Sequence, residues 1–341
     1  VSDPAVRDRL ARLLRGRDRT SEVTASPSNA STLGPPDGLR REPEDGVLAR
    51  RATFELSSRH GAWRLEEALA ADRAILALLA RDPALADADL RRALFLDTET
   101  TGLSGGAGTW VFLVGLGSFE DDGFRVWQGF LAEPAEERAL LEEVAARIRA
   151  ASVVVSFFGK AFDRHRLEDK MRMHGIAPPF DGRPHLDLYH PLRRLYRPRP
   201  APGERTVALD ARLRTLESEL CGVGREDDLP GALAPAAWFD FLHGRPHALE
   251  GVFRHNRDDV LSLVALAAHL SCCVDERRRG GEPVAGSAGA RARAVACCLA
   301  RAGRFATAVE WFERAAERGA GALTPAELRL LARSRRRSAA N

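Results

Sequence analysis

The segment Leu96-Asp97-Thr98-Glu99-Thr100-Thr101-Gly102 sets two carboxylates two residues apart at the end of an apolar run. Alternate side chains of a strand share a face, so Asp97 and Glu99 point the same way. Two neighbouring like charges are unfavourable unless a cation neutralises them. An all-oxygen set of this charge suits Mg²⁺ or Mn²⁺. The plainer reading is a polar strand end whose acids cap the next turn. A second element, Ser156-Phe157-Phe158-Gly159-Lys160-Ala161-Phe162-Asp163, ends an apolar strand, turns at glycine and opens a helix at Asp163. Alone, Asp163 reads as a helix N-cap. In a third, His255-Asn256-Arg257-Asp258-Asp259, helical spacing puts His255 and Asp259 on one face. Alone, that pair is a plain surface contact, and Asp258 is its nearest competitor.

The elements that must position these residues follow from periodicity. Ala93–Leu96, 110–118, 124–131, Val153–Val155 and His185–Leu188 read as strands. Asp121-Asp122-Gly123 is a hairpin signal. Residues 61–82, 135–150, 163–174, 208–221 and 248–270 read as helices, and Gly175 stops the fourth strand's following helix. Residues 4–16 could form a short helix, while 18–47 are rich in Ser, Pro, Gly and charge and read as flexible. After a glycine-rich break at 280–290, residues 291–317 pattern as a helical hairpin, and 333–341 are basic and expected to fray.

Together the three motifs have the chain order and element types of the DEDD (DnaQ-like) exonuclease superfamily. Phe95–Gly117, Ser156–Asp163, His185-Leu186-Asp187-Leu188, Glu226-Asp227-Asp228-Leu229-Pro230-Gly231 and His255–Leu263 resemble the YprB-like group of bacterial ribonuclease-H-like proteins, as does the tetratricopeptide-like tail. The resemblance covers 92–270 well and residues 1–60 hardly at all. It implies an α/β fold: a ribonuclease-H-like mixed five-stranded sheet flanked by helices, plus a small C-terminal helical hairpin. The implied organisation is a largely flexible segment over 1–60, a helical lead-in over 61–90, the exonuclease domain over 91–272 and the tail over 291–335.

The resemblance also implies roles. Asp97, Glu99, Asp163 and Asp259 would hold two divalent cations, Mg²⁺ or Mn²⁺, and His255 would act as base. Thr100, Thr101, Gly102, Leu103, Phe158 and Lys160 would meet the single-stranded 3′ end of DNA or RNA. Phe158 stands where the superfamily usually has Asn, so that hydrogen-bonded contact is lost or becomes stacking. His255 has the spacing of the superfamily's Tyr-type branch, with Arg254 at the His-type position. The plainer readings are core for Phe157, a structural hydrogen bond for Asp187, turn formation for Asp227 and Asp228, and unspecific surface charge for Lys160 and Arg164. The competing function is a weakened nucleic-acid-binding or adaptor protein acting through its tail on a protein partner.

Composition sets looser bounds. The formal net charge of +3 neither demands nor excludes nucleic acid. No apolar stretch is long enough to suggest a membrane span. The start lacks the pattern of a secretory leader. Five cysteines, four of them in vicinal pairs, make a poor disulfide framework. Reduced thiols and a cytoplasmic setting are expected.

Overall fold

The apolar run at Ala93 becomes β5 (Ala93–Thr100), the strand that carries Asp97 and Glu99. In the computed structural model it lies inside a seven-stranded sheet of order β1 (40–41), β2 (48–54), β7 (123–130), β6 (111–120), β5, β8 (153–156), β9 (185–187). The structure describes residues 36–43, 46–102, 108–196, 210–225, 228–246, 248–274 and 288–339. The expected helix at 4–16 lies outside these residues.

β6 (Val111–Glu120) and β7 (Gly123–Phe130) form the antiparallel hairpin signalled by the Asp-Asp-Gly turn. β8 (Val153–Ser156) and β9 (His185–Asp187) extend the sheet in parallel from β5. These are the five expected strands. Of the two additional ones, β2 (Leu48–Phe54) pairs onto β7 and β1 (Arg40–Arg41) pairs onto β2. Residues 40–41 and 48–54 are therefore sheet rather than flexible lead. Their arginines hid them, because a charged edge strand has no apolar run and resists further pairing. A separate small hairpin joins β3 (Arg59–His60) and β4 (Trp63–Arg64).

The expected helix over 61–82 is broken. A short 3₁₀ turn covers Leu65–Ala68, and α1 (Arg73–Ala80) starts anew. Asp72 caps α1 by accepting from the amides of Ala74 and Ile75. α2 (Glu137–Ala150) and α3 (Asp163–Met173) pack on Leu94, Leu96 and Val154. α4 (Tyr189–Tyr196), α5 (Leu213–Cys221) and α6 (Ala234–Leu242) follow, and α4 and α6 were not expected.

α7 (Leu249–Cys272) crosses close over β6. The close approach explains two glycines. A Cβ on Gly115 would overlap Asn256, and one on Gly117 would press on Val260.

The tail is three helices rather than a hairpin: α8 (Ala288–Arg301), α9 (Phe305–Glu317) and α10 (Pro325–Ser338). A capping box between Thr324 and Glu327 starts α10, so residues 333–338 are helical instead of frayed. Trp311 and Phe312 enter the same core as Ile75, Leu79, Leu195 and Leu266. The apolar face of a lone repeat is thus covered by its own chain. All five cysteines are buried and outside any disulfide. No helix of the described residues is long and apolar enough to cross a membrane.

Candidate active site

Asp97 and Glu99 lie opposite Gly115 and Leu113 on β6, and a bulge after Glu99 ends the regular ladder. Asn256 Nδ2 donates to Asp97 Oδ2 at 2.7 Å, in the space that Gly115 leaves open. Gln128 Nε2 in turn donates to Asn256 Oδ1 at 2.9 Å and to the Phe253 carbonyl at 2.7 Å. This chain orients the Asn256 amide towards β5. Asp163 is the first residue of α3, but Phe162 occupies the cap position. Its carboxylate serves the site instead, accepting from the Thr98 hydroxyl.

Asp259 is held by Arg225, whose guanidinium donates to Asp259 Oδ1 and to Glu217 Oε2, the latter at 2.7 Å. The Arg225 side chain is only 4% exposed and that of Glu217 is fully buried. Glu217 also accepts from Ser262, whose hydroxyl lies 2.8 Å from His60 Nε2. Asp258 points elsewhere and pairs with Arg257 at 2.7 Å. His255 Nδ1 lies 2.7 Å from Asp228 Oδ1 and 3.4 Å from an Arg225 nitrogen. In the neutral ring this contact would select the tautomer in which Nδ1–H donates to Asp228 and Nε2 keeps a lone pair. Nε2 lies 3.6 Å from Asp259 Oδ2.

The acids are close enough to oppose one another's ionisation. Burial, then Asp259, Asp163 and Glu99, push the Asp97 carboxyl well above the ordinary range. Burial, then Asp259, Asp163 and Asp228, do the same to Glu99, against a smaller pull from Arg225. Burial lifts Asp163 from 3.8 to about 6 despite the Thr98 hydrogen bond. An all-oxygen set in this condition fits a hard divalent cation, which would relieve the mutual repulsion. Among the described residues no three such groups already form a ligand shell. Amide, hydroxyl and guanidinium partners hold them.

The raised Asp163 value predicts a pH effect. Below pH 3.8 the group is protonated folded or unfolded and costs nothing; above about 6 the folded chain must bury its charge. Without metal, wild-type stability should fall relative to Asp163→Asn as pH rises from 4 to 7. The gap should widen by on the order of 3 kcal/mol. Urea unfolding of both proteins in EDTA checks this; a constant gap would contradict it.

Around the acids, the Thr100 hydroxyl donates to the Gly102 carbonyl at 3.2 Å. Thr101 exchanges hydrogen bonds with Trp110 through its amide and its hydroxyl. Both threonines therefore brace the loop mouth rather than offering free hydroxyls. A Cβ on Gly102 would meet the Thr109 hydroxyl at 3.9 Å, an ordinary contact, so the chain itself does not demand glycine there. Leu103 lies outside the described residues. Asp187 accepts from the amides of Phe158, Lys160 and Tyr189 at 2.8–3.1 Å, which is the structural role among its alternatives. It holds Phe158 in a left-handed conformation (φ 63°) with the residue 42% exposed. The Phe158 ring stands edge-on to Tyr189, with centroids 4.7 Å apart. Phe157 packs against the core. The Lys160 ammonium lies 3.7 Å from Asp82.

Sequence reasoning missed Asn256, Gln128, Arg225 and Glu217, and gave Asp228 only to a turn. Asn256 and Asp228 stood inside quoted motifs; nothing local marked the other three.

The fold and the grouped acids on its central strand are those of a ribonuclease-H-like domain. The RNase_H superfamily model matches residues 94–271, and the chain belongs to that superfamily. Nucleases of this kind generally use divalent metal ions. The chain is 33% identical over 236 residues to the uncharacterized protein YprB of Bacillus subtilis (strain 168). The match covers 67% of this chain and 54% of that relative, so the chain spans about half the relative's length. Among solved structures, the family B DNA polymerase of the hyperthermophilic archaeon Pyrobaculum calidifontis aligns with a TM-score of 0.40 and 19% identity. That alignment covers 62% of this chain and 29% of the polymerase.

Proposed function

We infer that the chain is a metal-dependent 3′→5′ exonuclease that hydrolyses phosphodiester bonds of single-stranded nucleic acid. One observation carries the reading. Carboxylates from β5, α3 and α7 gather beside a histidine whose Nδ1 contacts a further acid. A pair of divalent cations, Mg²⁺ or Mn²⁺, held by Asp97, Glu99, Asp163 and Asp259 would supply Lewis acidity to the attacking water and to the leaving 3′ oxygen. His255 accepts the water's proton at Nε2, and Asp228 stabilises the imidazolium that results. Thr100 and Thr101 keep the mouth rigid. Phe158 offers its exposed ring to a terminal base.

The reading is tested with a 5′-labelled single strand and Mn²⁺ or Mg²⁺. A ladder that shortens from the 3′ end, with a circular single strand left intact, is the expected result. Cleavage of the circle, or no cleavage by folded protein, would overturn it.

Two variants probe the roles. His255→Ala should slow cleavage by about 10²–10⁴-fold, the usual worth of a positioned base. Calorimetric Mn²⁺ binding should remain; a fully active variant rules His255 out. Phe158→Ala should weaken single-strand binding by about 1–3 kcal/mol, the range for one base stacked on an aromatic ring. Fluorescence anisotropy in EDTA measures that loss, and an unchanged affinity removes the stacking role.

A further inference from the structure

Two non-glycine residues among those described hold a left-handed backbone: Phe158 at the site mouth and Arg81 at the end of α1. Arg81 occupies the helix-terminal position at which glycine is favoured (φ 59°). A side chain there costs roughly 1–2 kcal/mol. The helix end repays it, since the Arg81 and Asp82 amides donate to the Leu78 and Ala77 carbonyls, and the Arg81 side chain is left exposed.

Arg81 stands on a cleft of about 500 Å³ between α1 and the C-terminal end of α8. Arg301 and Arg304 line the other wall, and Leu78, Pro83 and Ala86 give it an apolar floor. All three arginines are exposed. Arg194, whose guanidinium donates to the Leu79 carbonyl, adds a fourth positive charge nearby. Burial and then the charge of Arg81 pull its pKa down, with a weaker contribution from Arg301. The α8 dipole accounts for Arg301 at a helix end. It does not account for the gathering of the others. Asp82 is the one carboxylate among the described lining residues, and it faces Lys160 at 3.7 Å. Lys160 belongs to the loop that Asp187 fixes beside the acids. The cleft is thus joined to the site mouth through the Asp82–Lys160 pair.

We propose that this cleft is the track for the sugar–phosphate backbone of a single nucleic-acid strand whose 3′ end lies among the acids. Arg81, Arg301 and Arg304 meet phosphates, and the apolar floor accommodates sugars and base edges. The proposal rests on the exonuclease reading for the strand's direction, but its test involves no chemistry. Such a track favours long single strands over short ones and is blind to sequence, because phosphate contacts carry no base information.

The test is anisotropy of a fluorescein-labelled 20-nucleotide single strand with full-length protein in EDTA, over a range of salt. The variant Arg81→Gln/Arg301→Gln should bind at least about tenfold more weakly at low salt than the wild type. Each phosphate contact on a single strand contributes about 0.7 to the slope of log affinity against log salt, so two lost contacts should flatten it by about 1.4. The control Arg329→Gln/Arg336→Gln makes the same charge change on exposed positions of α10. It should leave both quantities near wild type. Four outcomes overturn the track: wild-type affinity and slope in the cleft variant, equal losses in the α10 control, no strand binding by wild-type protein, or unchanged binding with a shifted sedimentation coefficient. The last gives the cleft to a second copy of the chain. Failure of the exonuclease reading would show separately, as absent hydrolysis by a protein that still binds the strand through the cleft.

Discussion

Asp97→Asn should lower hydrolysis at least about a thousandfold, or about 4 kcal/mol of transition-state stabilisation at about 1.4 per tenfold. Asp97 sits at the centre of the acid group: Asp259, Asp163 and Glu99 all oppose its ionisation. Removing its charge removes the group that most needs a cation and most attracts one. The fold should not suffer. An asparagine oxygen at position 97 can still accept from Asn256 Nδ2, which now donates at 2.7 Å to the aspartate. With one buried like charge gone, the metal-free variant should melt at the wild-type temperature or above it. Mn²⁺ should raise the melting temperature of the wild type and leave the variant nearly unmoved, because a ligand stabilises only the state it binds. Wild-type hydrolysis by the variant, or equal stabilisation of both by Mn²⁺, would contradict the assignment.

Arg225→Met should destabilise the chain by about 3–5 kcal/mol, the usual effect of breaking a buried ion pair from one side. The guanidinium neutralises Glu217, which is fully buried, and reaches Asp259 on α7. Burial, the largest influence on Glu217, already raises its pKa, and Arg225 is the main opposing force. Methionine fills similar volume but leaves that carboxylate with only the Ser262 hydroxyl as donor among the described residues. Glu217→Gln in the same background should recover much of the loss, since the uncompensated charge then disappears. Urea unfolding of the wild type, the two single variants and the double variant measures the coupling. Strictly additive effects would mean that Arg225 and Glu217 do not act as a pair.

The acids were legible because each sits in a local pattern with a chemical meaning. Asp97 and Glu99 alternate at the end of an apolar strand. Asp163 follows a strand and a glycine turn; Asp258 and Asp259 both keep one-face spacing with His255, and the spacing of four in the resembled family favours Asp259. The groups that hold these acids come from elsewhere in the chain. Gln128 on β7 reaches Asn256 on α7 only because Gly115 brings the helix down on the sheet. Arg225 looked like one more loop arginine, yet it is among the most enclosed charges of the site. No periodicity encodes such cross-element contacts. The same limit applies to the fold. β2 escaped notice because the adjacent Arg50 and Arg51 interrupt its apolar run, and α4 and α6 because each carries a proline in its first turn, where a helix tolerates it.

Diffraction from crystals soaked in Mn²⁺, recorded near the manganese absorption edge, addresses the gathering of the acids directly. Anomalous density is expected between the carboxylates of Asp97, Glu99, Asp163 and Asp259, with Arg225 withdrawn from Asp259 towards Glu217. Manganese bound only at other surfaces, with Arg225 still on Asp259 at millimolar Mn²⁺, would contradict the account.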